Sequence, residues 1–129
     1  MTLRFKYDNG GRDRSEERDC CVRAIAIAAN IPYAEAHRML AAHGRIDNHR
    51  TQRFVFLMDV WKKIGQYKIF RVQGGGTLNQ FMNEDAPGRF IVRIRGHAFA
   101  VVNGTIHDML LSGGRCRIKQ IWKFNEEGI

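Results

Sequence analysis

Between residues 19 and 65 the apolar positions recur at helical intervals, and from residue 67 onward they alternate or run together as they do in strands. Val22, Ile25, Ala26 and Ala29 mark the first helix, which opens with Asp19 as N-cap and ends near Asn30, before Ile31-Pro32. Pro32 supplies the first turn of a second helix through Ala34 to Leu40, stopped at Gly44, and Phe54 to Ile64 predicts a third, stopped by Gly65. Ahead of them the first 18 residues are polar and read as an arm carrying one short strand, Leu3 to Tyr7. Beyond them the pattern predicts a strand at Tyr67 to Val72, a break or hinge at Gly74-Gly75-Gly76 and a brief capped helix at Thr77 to Met82. Strands follow at Arg89 to Arg95, His97 to Val102, Thr105 to Met109 and Arg115 to Phe124. Helices first and antiparallel strands afterwards imply an α+β domain, with the helical layer packed on one face of the sheet.

Composition narrows the class. A chain of 129 residues, 44% hydrophobic, is expected to form one domain, 1–129, with residues 1–18 as its polar arm. No stretch approaches the roughly 20 apolar residues of a membrane span, and the start has no apolar signal-peptide core, so the expected location is cytoplasmic, without membrane contact. Three Cys, two of them adjacent, make no disulfide framework and match no zinc spacing, so no metal or cofactor is expected. Lys and Arg total 21 against 13 Asp and Glu, a net +8 that favours weak contact with nucleic acid; the basic residues are scattered, without a nucleic-acid motif.

Candidate chemistry lies in Asp19-Cys20-Cys21 at the mouth of the first helix and in Gly96-His97 and Asp108 far downstream. A thiol in the first turn of a helix is acidified by the helix dipole, and the free N–H groups there can hold an oxyanion. Cys21 is rotated about 100° from Cys20, so one thiol of the pair can face a given site. Asn103-Gly104 predicts a two-residue type I′ hairpin pairing Val102 with Thr105, Val101 with Ile106, Ala100 with His107, Phe99 with Asp108 and Ala98 with Met109. Alternation then places His97 and Asp108 on one face as diagonal neighbours about 7 Å or less apart, and His107 on the other. Cys21, Cys116 and Trp61 read as core, Arg23 as half of an ion pair with a helical or N-terminal carboxylate, and Trp122 as lining a cleft or covering the sheet.

Asp-Cys-x-x-Arg-Ala-Ile at the first helix, followed by Gly-x-Phe-Ile-Val-x-x-x-Gly-His-x-x-Ala-Val-x-x-Gly-x-x-x-Asp, resembles the small papain-like cysteine peptidase fold over roughly residues 15 to 125. Within it the chain is most similar to uncharacterised phage and prophage proteins and, more distantly, to bacteriocin-processing cysteine peptidases. The resemblance implies Cys20 as nucleophile, His97 as general base and acid, and Asp108 as the residue that orients His97, acting through an acyl-enzyme on a protein or peptide substrate. It departs from that pattern in one respect. No Gln stands a few residues before Cys20 to complete the oxyanion hole, leaving Arg14 or a backbone N–H for that task. Specificity is expected from the Arg12 to Arg18 arm, the Gly74 to Gly76 loop and the surroundings of Trp122. A non-catalytic basic phage protein that binds nucleic acid or a host protein is the alternative.

Overall fold

The computed structural model describes residues 3–126; the ends of the expected domain, 1–2 and 127–129, lie outside the described residues. The elements are β1 (Phe5–Tyr7), α1 (Cys20–Ala28), α2 (Tyr33–Ala42), α3 (Phe54–Trp61), β2 (Lys63–Ile64), β3 (Tyr67–Val72), α4 (Leu78–Asn83), β4 (Arg89–Ile94), β5 (His97–Val102), β6 (Thr105–Asp108) and β7 (Ile118–Glu126). Seven strands form one sheet in the order β1-β6-β5-β4-β7-β3-β2, and the fold is α+β.

The strands alternate between two apolar cores because successive side chains leave opposite faces. Ile91, Ala98, Ala100, Trp122 and Phe124 pack with Val22, Ile25, Leu40, Phe54 and Leu57, the buried faces of α1, α2 and α3. Phe90, Val92, Phe99, Val101, Ile106 and Ile121 pack on the other face with Leu78 and Met82 of α4. The sheet is therefore covered on both faces, where sequence patterning put the helical layer on one. Thr77 begins α4 with a capping box closed by Gln80.

Three further expectations need correction. α3 stops at Trp61, because Lys62 takes a left-handed conformation at φ 55° and turns Lys63–Ile64 into a strand that pairs with β3. The last strand begins at Ile118, so Cys116 lies in the loop ahead of it. The sheet is not wholly antiparallel, since β1 runs parallel to β6 at one edge. That pairing fixes residues 5–7 of the arm, and Gly10 lets the arm lie against α1. A Cβ there would stand 3.1 Å from the Arg23 Cα, and its φ of +70° suits glycine.

Two contacts orient α1 across the sheet. Arg89 of β4 donates to the Ile27 carbonyl at the helix C-terminus (2.8 Å), where a cation also complements the dipole. The N-terminus is held from the opposite side by a cluster of ionised groups that belongs to the site itself.

Candidate active site

α1 opens at the end of the sheet where β5 begins and β6 ends, which brings Cys20, His97 and Asp108 to one place. The hairpin between β5 and β6 has the expected register over Val102–Thr105, Val101–Ile106 and Ala100–His107, with Asn103 and Gly104 both at positive φ. Its consequence is direct: His97 Nε2 and Asp108 Oδ2 are 2.6 Å apart. His107 points away and pairs with Asp8 Oδ2 at 2.9 Å.

With Nε2 committed to Asp108, Nδ1 is the ring nitrogen left for the thiol of Cys20, which lines the same cleft as His97. The Cys20 thiol is pulled down to about 4 by a hydrogen bond from Cys21 and by the bond and charge of His97, helped by the Ala98 backbone, against burial. His97 is raised to about 9: burial lowers it, and the hydrogen bonds and charges of Asp108 and Cys20 outweigh burial. Near neutral pH the pair is a thiolate and an imidazolium. Cys21 is buried and pushed up by its bond to Cys20 and by burial, which keeps it a neutral thiol.

Asp108 is 2% exposed and uses its second oxygen as fully as its first. Oδ1 accepts from Arg23 Nη1 (2.8 Å) and from the Met109 N–H (2.8 Å). Arg23 in turn donates from Nε to Asp19 Oδ1 (2.9 Å), so it bridges two buried carboxylates rather than the one expected. Asp19, completely buried, also accepts from Arg12 Nε (3.0 Å) and Nη2 (2.7 Å) and from the Tyr33 hydroxyl (2.9 Å). Burial raises its pKa, and the bonds from Arg23, Arg12 and Tyr33 more than reverse the effect, so Asp19 is a carboxylate.

This use of Asp19 changes its sequence role. It occupies the N-cap position but makes no capping hydrogen bond, because its oxygens face the arginines. The first N–H of α1 to make the helical bond to the fourth residue before it is that of Arg23, on the Asp19 carbonyl at 3.0 Å. The N–H groups of Cys20, Cys21 and Val22 thus have no acceptor inside the helix, at the end where its dipole is positive.

A cleft of about 180 Å³ opens beside the thiol, and its walls include Arg18, Cys20, Cys21, Arg50, Thr51, Phe54, Arg93 and His97. Thr51 is half-buried in the same wall, with its hydroxyl toward the Cys21 thiol. Neither the Gly74 to Gly76 loop nor Trp122 reaches it. Trp122 is fully buried, donates to Asp59 Oδ1 (3.0 Å) and meets the Phe54 ring edge-on, so it covers the sheet. Trp61 is only partly buried, with its indole N–H on His43 Nε2 at 3.3 Å. Arg14, the side chain expected near the oxyanion, is absent from the cleft walls and pairs with Asp13 at 2.9 Å.

Arg18 belongs to the arm expected to shape the cleft, whereas sequence reasoning missed Arg50, Thr51 and Arg93. Arg93 carried a faint signal, a cation inside the apolar run of β4; Arg50 and Thr51 sit in a loop whose path only the packed helices determine. The arm reaches the cleft because buried Glu16 accepts from Arg45 Nη2 (3.1 Å) and meets His37 Nε2 (3.0 Å), while the Glu17 N–H donates to Asn48 (2.8 Å). Glu16, His37 and Asp47 bring their donor atoms within 4.8 Å of one another, but Arg45 already supplies the cation for Glu16.

The arrangement is a thiolate and an imidazolium, backed by a buried carboxylate and facing a small open cleft rimmed with donors. Among the described residues no helix is long and apolar enough to cross a membrane. Compared with known protein families, with curated proteins and with solved structures, the chain matches none.

Proposed function

We propose that this chain is a cysteine hydrolase of papain-like type, acting on a peptide, isopeptide or side-chain amide bond. The observation that carries the reading is the convergence of Cys20 and the hydrogen-bonded His97–Asp108 pair at the mouth of α1, with Cys20 and His97 open to one cleft and Asp108 held from behind by Arg23. A thiolate held against an imidazolium is the resting state from which acyl transfer starts.

The Cys20 sulfur attacks the amide carbonyl carbon, forming an S–C bond and placing negative charge on the carbonyl oxygen. The N–H groups of Cys20, Cys21 and Val22, which have no acceptor inside the helix, are the donors available to that oxygen, in place of the missing Gln. His97 gives its Nδ1 proton to the leaving amine as the C–N bond breaks. It then takes a proton from water, which attacks the thioester and releases the acid and the free thiolate. Asp108 holds the ring through Nε2 in both halves.

Alkylation with iodoacetamide at neutral pH, followed by peptide mapping, tests the reading. Cys20 should be modified far faster than Cys21 and Cys116, and His97→Ala should abolish the preference. Equal, slow modification of all three thiols would reject it.

A further inference from the structure

Arg18, Arg50 and Arg93 come from three unrelated parts of the chain, the arm, the loop between α2 and α3, and strand β4, yet all three line the cleft beside Cys20. Elsewhere the arginines next to the site are neutralised: Arg12 and Arg23 sit on Asp19, and Arg45 sits on Glu16. Among the described residues Arg18, Arg50 and Arg93 have neither an ion pair nor a side-chain hydrogen bond, and no Asp or Glu lines the cleft. Arg50 Nη1 is close enough to Gly96 that a Cβ there would stand 3.7 Å from it, which puts a guanidinium at the residue next to His97. Arg18 is presented from a left-handed backbone at φ 52°, a conformation unfavourable for a residue with a Cβ and one that clusters at functional sites.

The thiolate and imidazolium cancel, so three guanidiniums leave the cleft with net positive charge. Arg18 and Arg50 are exposed and Arg93 is half-buried, so their charges reach the cleft with no counter-charge in its walls. A cleft of about 180 Å³ has room for one side chain or a terminal group, well below the roughly 300 Å³ at which ordinary ligand sites begin. The nucleophile at its floor suits a carbonyl carbon.

Resting on the reading of Cys20 as nucleophile, we propose that the substrate is an acidic peptide, with a carboxylate adjacent to the scissile amide that Arg18, Arg50 and Arg93 recognise. Guanidinium forks bind carboxylates in bidentate geometry, and a focused positive cleft also accelerates arrival of an anionic substrate.

The test compares two alkylating reagents of nearly equal size, anionic iodoacetate and neutral iodoacetamide, on the intact protein. Each forms an S–C bond at Cys20 and releases iodide. Small free thiolates react more slowly with iodoacetate, through like-charge repulsion. The iodoacetate to iodoacetamide rate ratio at Cys20 should be inverted in the wild type, fall with added salt, and drop roughly tenfold in Arg50→Gln/Arg93→Gln. The Arg50→Lys/Arg93→Lys variant should retain most of the inversion, since it keeps the charge. Taking the ratio within each variant separates the guanidiniums from the imidazolium, which is present in all of them.

A Glu-containing tetrapeptide should protect Cys20 from iodoacetamide at concentrations where its Gln counterpart does not. A ratio unchanged by the double Gln variant, with Cys20 still rapidly alkylated, overturns the acidic-substrate proposal and leaves the nucleophile standing. Failure of either reagent to prefer Cys20 over Cys116 removes the nucleophile and this proposal together. Protection by a single-stranded DNA oligonucleotide but not by the Glu peptide also overturns the proposal and assigns the arginines to nucleic acid.

Discussion

Neutralising Asp19 tests the ionised cluster that holds α1 and Asp108 in place. In Asp19→Asn the volume is nearly unchanged, but two Arg12 bonds, the Arg23 Nε bond and the Tyr33 bond lose a charged acceptor. Asp19 is completely buried and the Arg23 side chain is 11% exposed, so water cannot replace the lost partner. Breaking a buried ion pair by removing one partner costs about 3–5 kcal/mol. At an m-value of about 2 kcal/mol per molar urea, the unfolding midpoint should fall by roughly 2 M. Tyr33→Phe removes one of the four bonds and leaves the charges paired, so its cost should be about 1 kcal/mol.

The pH dependence supplies a second axis. Asp19 is held below its ordinary value of 3.8, so its stabilising contribution is complete above that pH and disappears as pH falls through the lower folded value. Wild type and Asp19→Asn should therefore differ most at neutral pH and converge in acid. Urea unfolding followed by tryptophan fluorescence at several pH values measures both effects. A neutral-pH difference below about 1 kcal/mol, no larger than that of an exposed pair, would refute the claim that the cluster fastens the site.

Two further outcomes follow from the same geometry. Turnover that needs a thiolate and an imidazolium together should rise through pH about 4 and fall through pH about 9; Asp108→Asn should move the upper limb below 9, because it removes the bond that raises His97, and lower turnover by up to about 10⁴-fold. An upper limb unmoved in Asp108→Asn would show that Asp108 does not set the state of His97. Gly104→Ala places a Cβ on Arg4 and Asp85 in a backbone at φ +78°; a cost of about 1 kcal/mol or more should lower Tm by roughly 3–6 °C, and an unchanged Tm would mean that the hairpin does not need this turn.

The elements that were legible early are those fixed by neighbours in sequence. Asn103-Gly104 imposes its own turn, and a turn with a defined residue count sets the register of the two strands beside it, so the sequence alone pairs His97 with Asp108 and turns His107 away. Helix α3 is shorter than its pattern predicts for the converse reason. Ile64 continues the apolar helical spacing of Leu57 and Trp61, and only pairing with Tyr67 and Lys68 makes a strand of Lys63 and Ile64.

The sequence by itself determined the α+β order, the hairpin register, the exposure of one thiol of the pair at a helix mouth and the net positive charge. Each depends on periodicity, turn stereochemistry or simple counting. Tertiary structure alone decided that Asp19 would turn from cap to ion-pair hub, that Arg23 would span two carboxylates 89 residues apart in the chain (Asp19 and Asp108), and that Arg18, Arg50 and Arg93 would converge on the cleft. Long side chains carry no period that reveals their partners. Where their charges end up depends on which backbone segments pack together, and burial then decides which of those charges are strongly felt.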